Sequence, residues 1–204
     1  MPSLIAVGLC HLRCECTLSI LFADEIQWWS DVIAAAVLDK ELYLLQQSSP
    51  RLDVCDAVSF RSLGSITVPG LAQSKFIVDM TACSFYRCLY FADGQNTSII
   101  RLEVPSKYRQ WTVEDMDIDS VISVTSSHDL LVLCGKSNKL KLFGTDGVLR
   151  STIALEPLYV TCAVELTPRQ YLVTHGRDSD PLHRVCIVNS EGRMLMAGLR
   201  DHIC

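Results

Sequence analysis

The sequence has no apolar run approaching the roughly 20 residues that a membrane-spanning helix requires, and its longest clean runs, such as residues 32–38, have strand length. It lacks the glycine-rich loop that cradles phosphates, the nucleophile elbow and the protein-kinase signatures, so none of those chemistries is announced. The EF-hand ligand series is missing as well, which sets aside that mode of calcium binding. Positive charge is not in excess: 18 Lys and Arg stand against 23 Asp and Glu, for a formal charge of −5. Gripping a phosphate backbone depends on clustered cations, so nucleic acid is not an expected partner. No membrane span is expected either.

What is present has a globular balance. Apolar residues make up 49% and charged residues 20% of 204, enough for one domain with a sizeable core and too apolar for wholesale disorder. The ten cysteines are scattered, and Cys134 and Cys186 fall inside apolar runs where a free thiol acts as a small hydrophobe. That usage fits reduced thiols and a cytoplasmic protein. The alternative is secretion, with Cys83 and Cys88 bridging a hairpin and Asn96 glycosylated in the sequon Asn96-Thr97-Ser98. Cys10, His11, Cys14 and Cys16 look like half a zinc site, but no second ligand pair follows at finger spacing. No cofactor or metal is expected.

The chain is organised around residues 88–104, CLYFADGQNTSIIRLEV. This stretch reads as an apolar strand, a polar turn at Asp93-Gly94-Gln95-Asn96, and a second strand with period-2 alternation. The cassette recurs: Leu89-Tyr90 is matched 41 residues on by Leu130-Leu131 and another 41 on by Tyr171-Leu172, while Gly94, Gly135 and Gly176 keep the same step. A fixed period near 40 with about four short strands per repeat is the signature of propeller blades. The fold class is therefore all-β, a β-propeller of about four blades of four antiparallel strands. The approximate blades are 31–70, 76–115, 120–155 and 161–204, after an atypical N-terminal segment, 1–30, that makes a poor signal peptide. The second strand of each blade should be apolar throughout, covered on both faces. The outer strands should alternate against water.

Closed propellers more often carry five to eight blades than four. At about 25 cal/mol per Å², an uncovered blade face of several hundred Å² forgoes on the order of 10 kcal/mol. The expectation is a piece of a larger, six-bladed propeller, or a homo-oligomer that closes the ring if the chain ends at Cys204.

Residues 89–104 resemble the NHL-repeat and YWTD-type families of six-bladed propellers. Tyr90, Asp93, Asn96, Ile99 and Arg101 fall on their pattern of a strand ending in Asp, a Gly/Asn turn and an Ile/Arg strand. Where that pattern has Asp, the third repeat has Cys134 and the fourth has His175. The resemblance implies a non-enzymatic interaction scaffold that binds a protein partner, although some NHL domains bind RNA. The same superfamily contains the gluconolactonase and regucalcin group, which implies the alternative, a metal-dependent hydrolase. Its channel carboxylates and amides have no matching positions here.

In a propeller the turns between second and third strands, here 47–50, 94–97, 135–138 and 176–181, share one face, and loops on a rigid scaffold are where binding usually lives. The candidate binding residues are Gln95, Asn96, Lys136, Asn138, Arg177, Asp178, Asp180 and His183. No catalytic residue is expected, since His175 and His183 come without a nucleophile and partner. Trp28, Trp29 and Trp111 read as packing residues, and the acidic run 114–119 as a solvated connection between blades.

Overall fold

A computed structural model describes residues 32–46, 51–73, 76–104, 107–157, 159–176 and 184–197. The atypical N-terminal segment, with Trp28, Trp29 and the Cys10–Cys16 cluster, lies outside the described residues. The first sheet contains β1 (Val32–Leu38), β2 (Glu41–Gln46), β3 (Arg51–Asp56) and β4 (Ser62–Thr67). After a 3-10 turn at Pro69–Gln73 comes the second, with β5 (Ile77–Cys83), β6 (Cys88–Asp93), β7 (Ser98–Glu103) and β8 (Lys107–Thr112). The third has β9 (Val121–Val124), β10 (Leu130–Cys134), β11 (Lys139–Phe143) and β12 (Leu149–Ala154), and the fourth has β13 (Val160–Thr167), β14 (Gln170–His175), β15 (Arg184–Asn189) and β16 (Met194–Ala197).

Every pairing is antiparallel and every sheet keeps its strands in chain order. The first strands of successive sheets lie side by side, β1 against β5, β5 against β9 and β9 against β13. This is the blade arrangement of a propeller: each sheet stands on an inner strand and fans outward to its fourth.

Three apolar clusters fill the three gaps between blades. Tyr43, Leu45, Leu52, Leu89, Phe91 and Ile100 close the first gap. Tyr90, Ile99, Ile122, Leu130, Val132 and Phe143 close the second. Leu131, Leu133, Leu140, Ala163, Tyr171 and Val173 close the third. The period-2 geometry of a strand sends alternate side chains into the two adjacent gaps, so a second strand flanked by blades must be apolar at every position. β6 and β10 are buried at every residue. β14 instead alternates between buried and half-buried positions. On the face of the fourth blade turned away from the third, Val164, Leu172, Ile187 and Met196 stand directly opposite one another across four strands, with Met196 at 64% exposure.

The structure corrects the expectation that third strands alternate against water. β7 is buried from Ser98 through Leu102, including Arg101, and in β11 Lys141 is buried too. The blades are still close at the third strand, so both of its faces are covered. The fourth strands are the ones exposed along nearly their whole length. β4, β8 and β12 are exposed except where Ile66, Trp111 and Ile153 turn inward, opposite Leu52, Ile99 and Leu140. Trp111 is the packing residue expected of it, with its ring against Tyr90 and Phe143.

Gly94 and Gly135 answer to contact rather than to unusual dihedrals, whereas Gly176 in the same series has a φ of 148°. A Cβ on Gly94 would stand 2.8 Å from the Asp117 carbonyl oxygen and 2.9 Å from the Ile118 Cα, both backbone of the connection to the next blade. At Gly135 the nearest atom, the Asp119 carbonyl oxygen, is 3.0 Å away. Displacing packed backbone costs about 1–3 kcal/mol. Gly94→Ala should therefore lower stability by about that amount, and by more than Gly135→Ala. Urea unfolding of the two variants checks this, and equal midpoints with the parent chain would contradict it.

Candidate functional site

The two ends of the blades do different work. At one end lie the turns between second and third strands, where the sequence places its candidate binding residues. Gln95 and Asn96 are exposed, but the turn they form is tied to Asp93, which is 1% exposed. One Asp93 oxygen accepts from the backbone N–H groups of Gln95 at 3.1 Å and Asn96 at 3.0 Å, and the other accepts from the Asn96 side-chain amide at 2.7 Å. This is an Asx-type turn in which the side chain replaces a backbone acceptor.

Asn138 has the left-handed φ of 55°. Its side-chain amide donates to the carbonyl of Leu155 at 2.9 Å and to that of Pro157, holding the exit of the blade. Lys136 is exposed, and its backbone N–H donates to the Asp117 carboxylate at 3.2 Å. Asn96 and Asn138 are thus committed to turn structure, while the Gln95 and Lys136 side chains face water. Arg177, Asp178, Asp180 and His183, and the turn at 47–50, lie outside the described residues.

The acidic connection 114–119 is pinned more firmly than a solvated linker. Met116 is buried, Lys139 pairs with Asp115 at 2.8 Å, and the buried Lys141 ammonium donates to the Glu114 carbonyl at 2.5 Å. Two lysines hold the Asp115 carboxyl below the usual carboxylate range.

At the opposite end the hairpins between first and second strands are joined blade to blade. Asp39 pairs with Arg87 at 3.1 Å, linking the first two blades. The Phe85 ring stacks on His128, with centroids 4.2 Å apart and planes 7° apart, and links the second to the third. The Ser126 N–H donates to Glu165 at 2.6 Å and links the third to the fourth. All four hairpins therefore sit at one end of the scaffold, around the inner strands.

On this end Phe85 is 67% exposed and Tyr86 42%, with Tyr86 set edge-on to Phe85 at 4.8 Å. Leu166 and Val37 are exposed on the flanking hairpins. Asp39, Arg87, His128 and Arg169 each hold a left-handed φ, between 47° and 68°, a conformation unfavourable for non-glycine residues. Four equivalent hairpins thus keep a side chain where glycine would be easier. The sequence reading missed this cluster: Phe85 and His128 are far apart in the chain, and only the β5–β9 contact brings them together.

Titratable groups in the interior are shifted by burial. Cys83 and Cys88 stand directly opposite each other in the β5–β6 hairpin, both buried free thiols. Desolvation raises the Cys88 pKa and pushes Cys134 up to about 11, so these thiols stay protonated at neutral pH and are poor nucleophiles. Among the described residues no group of three or more His, Cys, Asp or Glu converges as a metal site would require, and no helix is long and apolar enough to cross a membrane.

On inner strand β5 the half-buried Asp79 accepts from the Met80 and Ile122 N–H groups, each at 2.8 Å, and so stitches the second blade to the third. Burial outweighs these bonds and pushes its pKa up to about 6.

No family model matches the chain, and no curated protein matches it. Solved structures do match, at low identity. A hydrazine synthase from Kuenenia stuttgartiensis superposes with a TM-score of 0.64 at 12% identity, over 85% of this chain and 52% of that one. A virginiamycin B lyase from Staphylococcus aureus gives 0.62 at 13%, over 82% and 55%. A dihydro-heme d1 dehydrogenase gives 0.56 at 12%, over 80% and 37%. The chain spans about half the length of the first two. At such identities the likeness shows the β-propeller fold and nothing finer.

Asp79 supplies a test of how the blades are joined. Its folded pKa of about 6 lies above the roughly 3.9 of an unfolded Asp, so between those values the folded state binds the extra proton. Its contribution to stability is then full below about pH 4 and falls as pH rises through about 6. The stability difference between the parent chain and Asp79→Asn should shrink or reverse over that window, by up to about 2 kcal/mol. A difference independent of pH, measured by urea unfolding, would contradict it.

Proposed function

We propose that this chain is a non-enzymatic β-propeller interaction module, NHL-like in character, that binds a protein partner through the hairpin end carrying Phe85, Tyr86 and His128. The observation that carries the proposal is the three-ring cluster, with Phe85 and Tyr86 exposed and His128 half-buried beneath them. Interface anchors are enriched in aromatic residues that fill a partner's pocket with little loss of conformational freedom. These rings stand on hairpins locked to neighbouring blades by Asp39–Arg87 and Ser126–Glu165, so little ordering remains to be done on binding. The turn end with Gln95 and Lys136, where the sequence places its candidate binding residues, lies outside the proposed interface. A cytoplasmic setting belongs to the same proposal, with Cys83 and Cys88 kept as thiols, as does completion of the ring by further blades.

The alternative is a metal-dependent hydrolase of the gluconolactonase and regucalcin kind. It is worth an assay because one matching structure is named as a virginiamycin B lyase. Chelator-sensitive lactone hydrolysis by the purified chain would replace the scaffold proposal with this one.

The scaffold proposal predicts a spatially polarised result. A photo-crosslinking amino acid at position 86 should capture a discrete protein in cells, and the adduct should fall at least ten-fold with Phe85→Ser and be absent from a probe at position 136. Capture through position 136 alone, or adducts insensitive to Phe85→Ser, would overturn the assignment of the binding end.

A further inference from the structure

The outer half of the second blade holds a cavity of about 310 Å³ lined by Arg101, Glu103, Lys107, Tyr108 and Arg109. Three of these five residues are cationic and one is anionic, in a chain whose formal charge is −5. The register makes the concentration of charge sharper. Arg101 stands directly opposite Arg109, and Glu103 directly opposite Lys107. Like charges placed directly opposite on neighbouring strands oppose pairing, so the sheet carries an arrangement that its own stability disfavours.

The charges are also incompletely matched within the chain. The Arg101 side chain is 7% exposed. Its Nη1 donates to Glu103 at 2.5 Å, the Cys88 thiol and Tyr90 phenol lie beside it, and its Nε is buried without a hydrogen-bond partner. A half-satisfied guanidinium in a low-dielectric setting is costly. Among the described residues Lys107 and Arg109 form no ion pair, and both are exposed at the cavity wall.

We infer that this cavity is an oxyanion site, taking a phosphate group between Arg101 and Arg109 with Lys107 at its edge. A phosphate offers several acceptor oxygens to a guanidinium fork. It relieves the Arg101–Arg109 repulsion while leaving Glu103 on Nη1. The volume lies at the low end for ligand pockets, which suits a phosphate alone or one on a small organic group, with the half-exposed Tyr108 at the rim. This site lies on the outer strands at the same end of the blades as the hairpin cluster, since Glu103 stands opposite Cys88 and Cys88 opposite Cys83, but it shares no residue with that cluster and stands or falls independently of it.

Calorimetric titration of the full chain with inorganic phosphate, and in a parallel arm with phenyl phosphate, tests the assignment. The expected result is one saturable site per chain, weakened about ten-fold or more by Arg109→Ala, weakened less by Lys107→Ala, and unchanged by Lys136→Ala at the other end of the blades. Tighter binding of phenyl phosphate assigns the site to a phosphate ester, and equal binding to free phosphate. All three substitutions are on exposed side chains, so the fold is retained. No saturable binding in either arm, or equal affinity in the parent chain and Arg109→Ala, would overturn the inference.

Discussion

A four-stranded sheet with apolar residues on both faces must be covered on both; with no α-helix among the described residues, other sheets supply that cover, and the rest of this structure depends on that constraint. One face of β6 meets the first blade and the other meets the third, and every residue of the strand is buried. Burying one large apolar side chain stabilises by about 1.5–3 kcal/mol, so the gaps between blades, rather than the hairpins, hold the chain together. The constraint also orders the blades in space. A strand can serve two cores only when its neighbours in sequence stand on either side of it.

Tight gaps decide what can sit at the ends. The turns between second and third strands press on the blade connections closely enough that Gly94 and Gly135 leave little room for a side chain, and Asp93 and Asn138 use their side chains to hold backbone groups. The other end has looser demands. Its hairpins are joined by a ring stack, an ion pair and one side-chain acceptor, which leaves Phe85 and Tyr86 available at the surface. A recurrent irregularity supports the same division: β1, β5 and β13 each slip register by one residue near their start, after Val32, Ile77 and Val160. Such bulges bend a strand and increase its twist.

Much of this architecture was legible in the sequence, for identifiable reasons. Covered strands such as β10 read as unbroken apolar runs, and the turns repeat with the 41-residue step of Gly94, Gly135 and Gly176. Arg101 and Lys141 lie in strands expected to alternate against water, where a charged residue normally faces solvent. Their burial depends on how far outward the blades stay in contact, which no local pattern reports. The first residues of β8, Lys107 to Arg109, are polar and exposed and carry no periodic signal that marks a strand. At the candidate site, the exposed Gln95 and Lys136 were visible as turn residues. The Phe85–His128 stack was not, because it exists only once two blades lie side by side. The slipped registers near the starts of β1, β5 and β13 left no mark in composition.

The central claim is that the covered gaps between blades carry the stability and the fourth strands are nearly passengers. Residue-resolved amide hydrogen exchange tests it most directly, because protection follows the free energy of the opening that exposes each amide. The account predicts the slowest exchange in β6, β7, β10 and β11, with amides of β8 and β12 exchanging orders of magnitude faster and β14 falling between. Protection in β8 and β12 equal to that in β6 and β10 would contradict it.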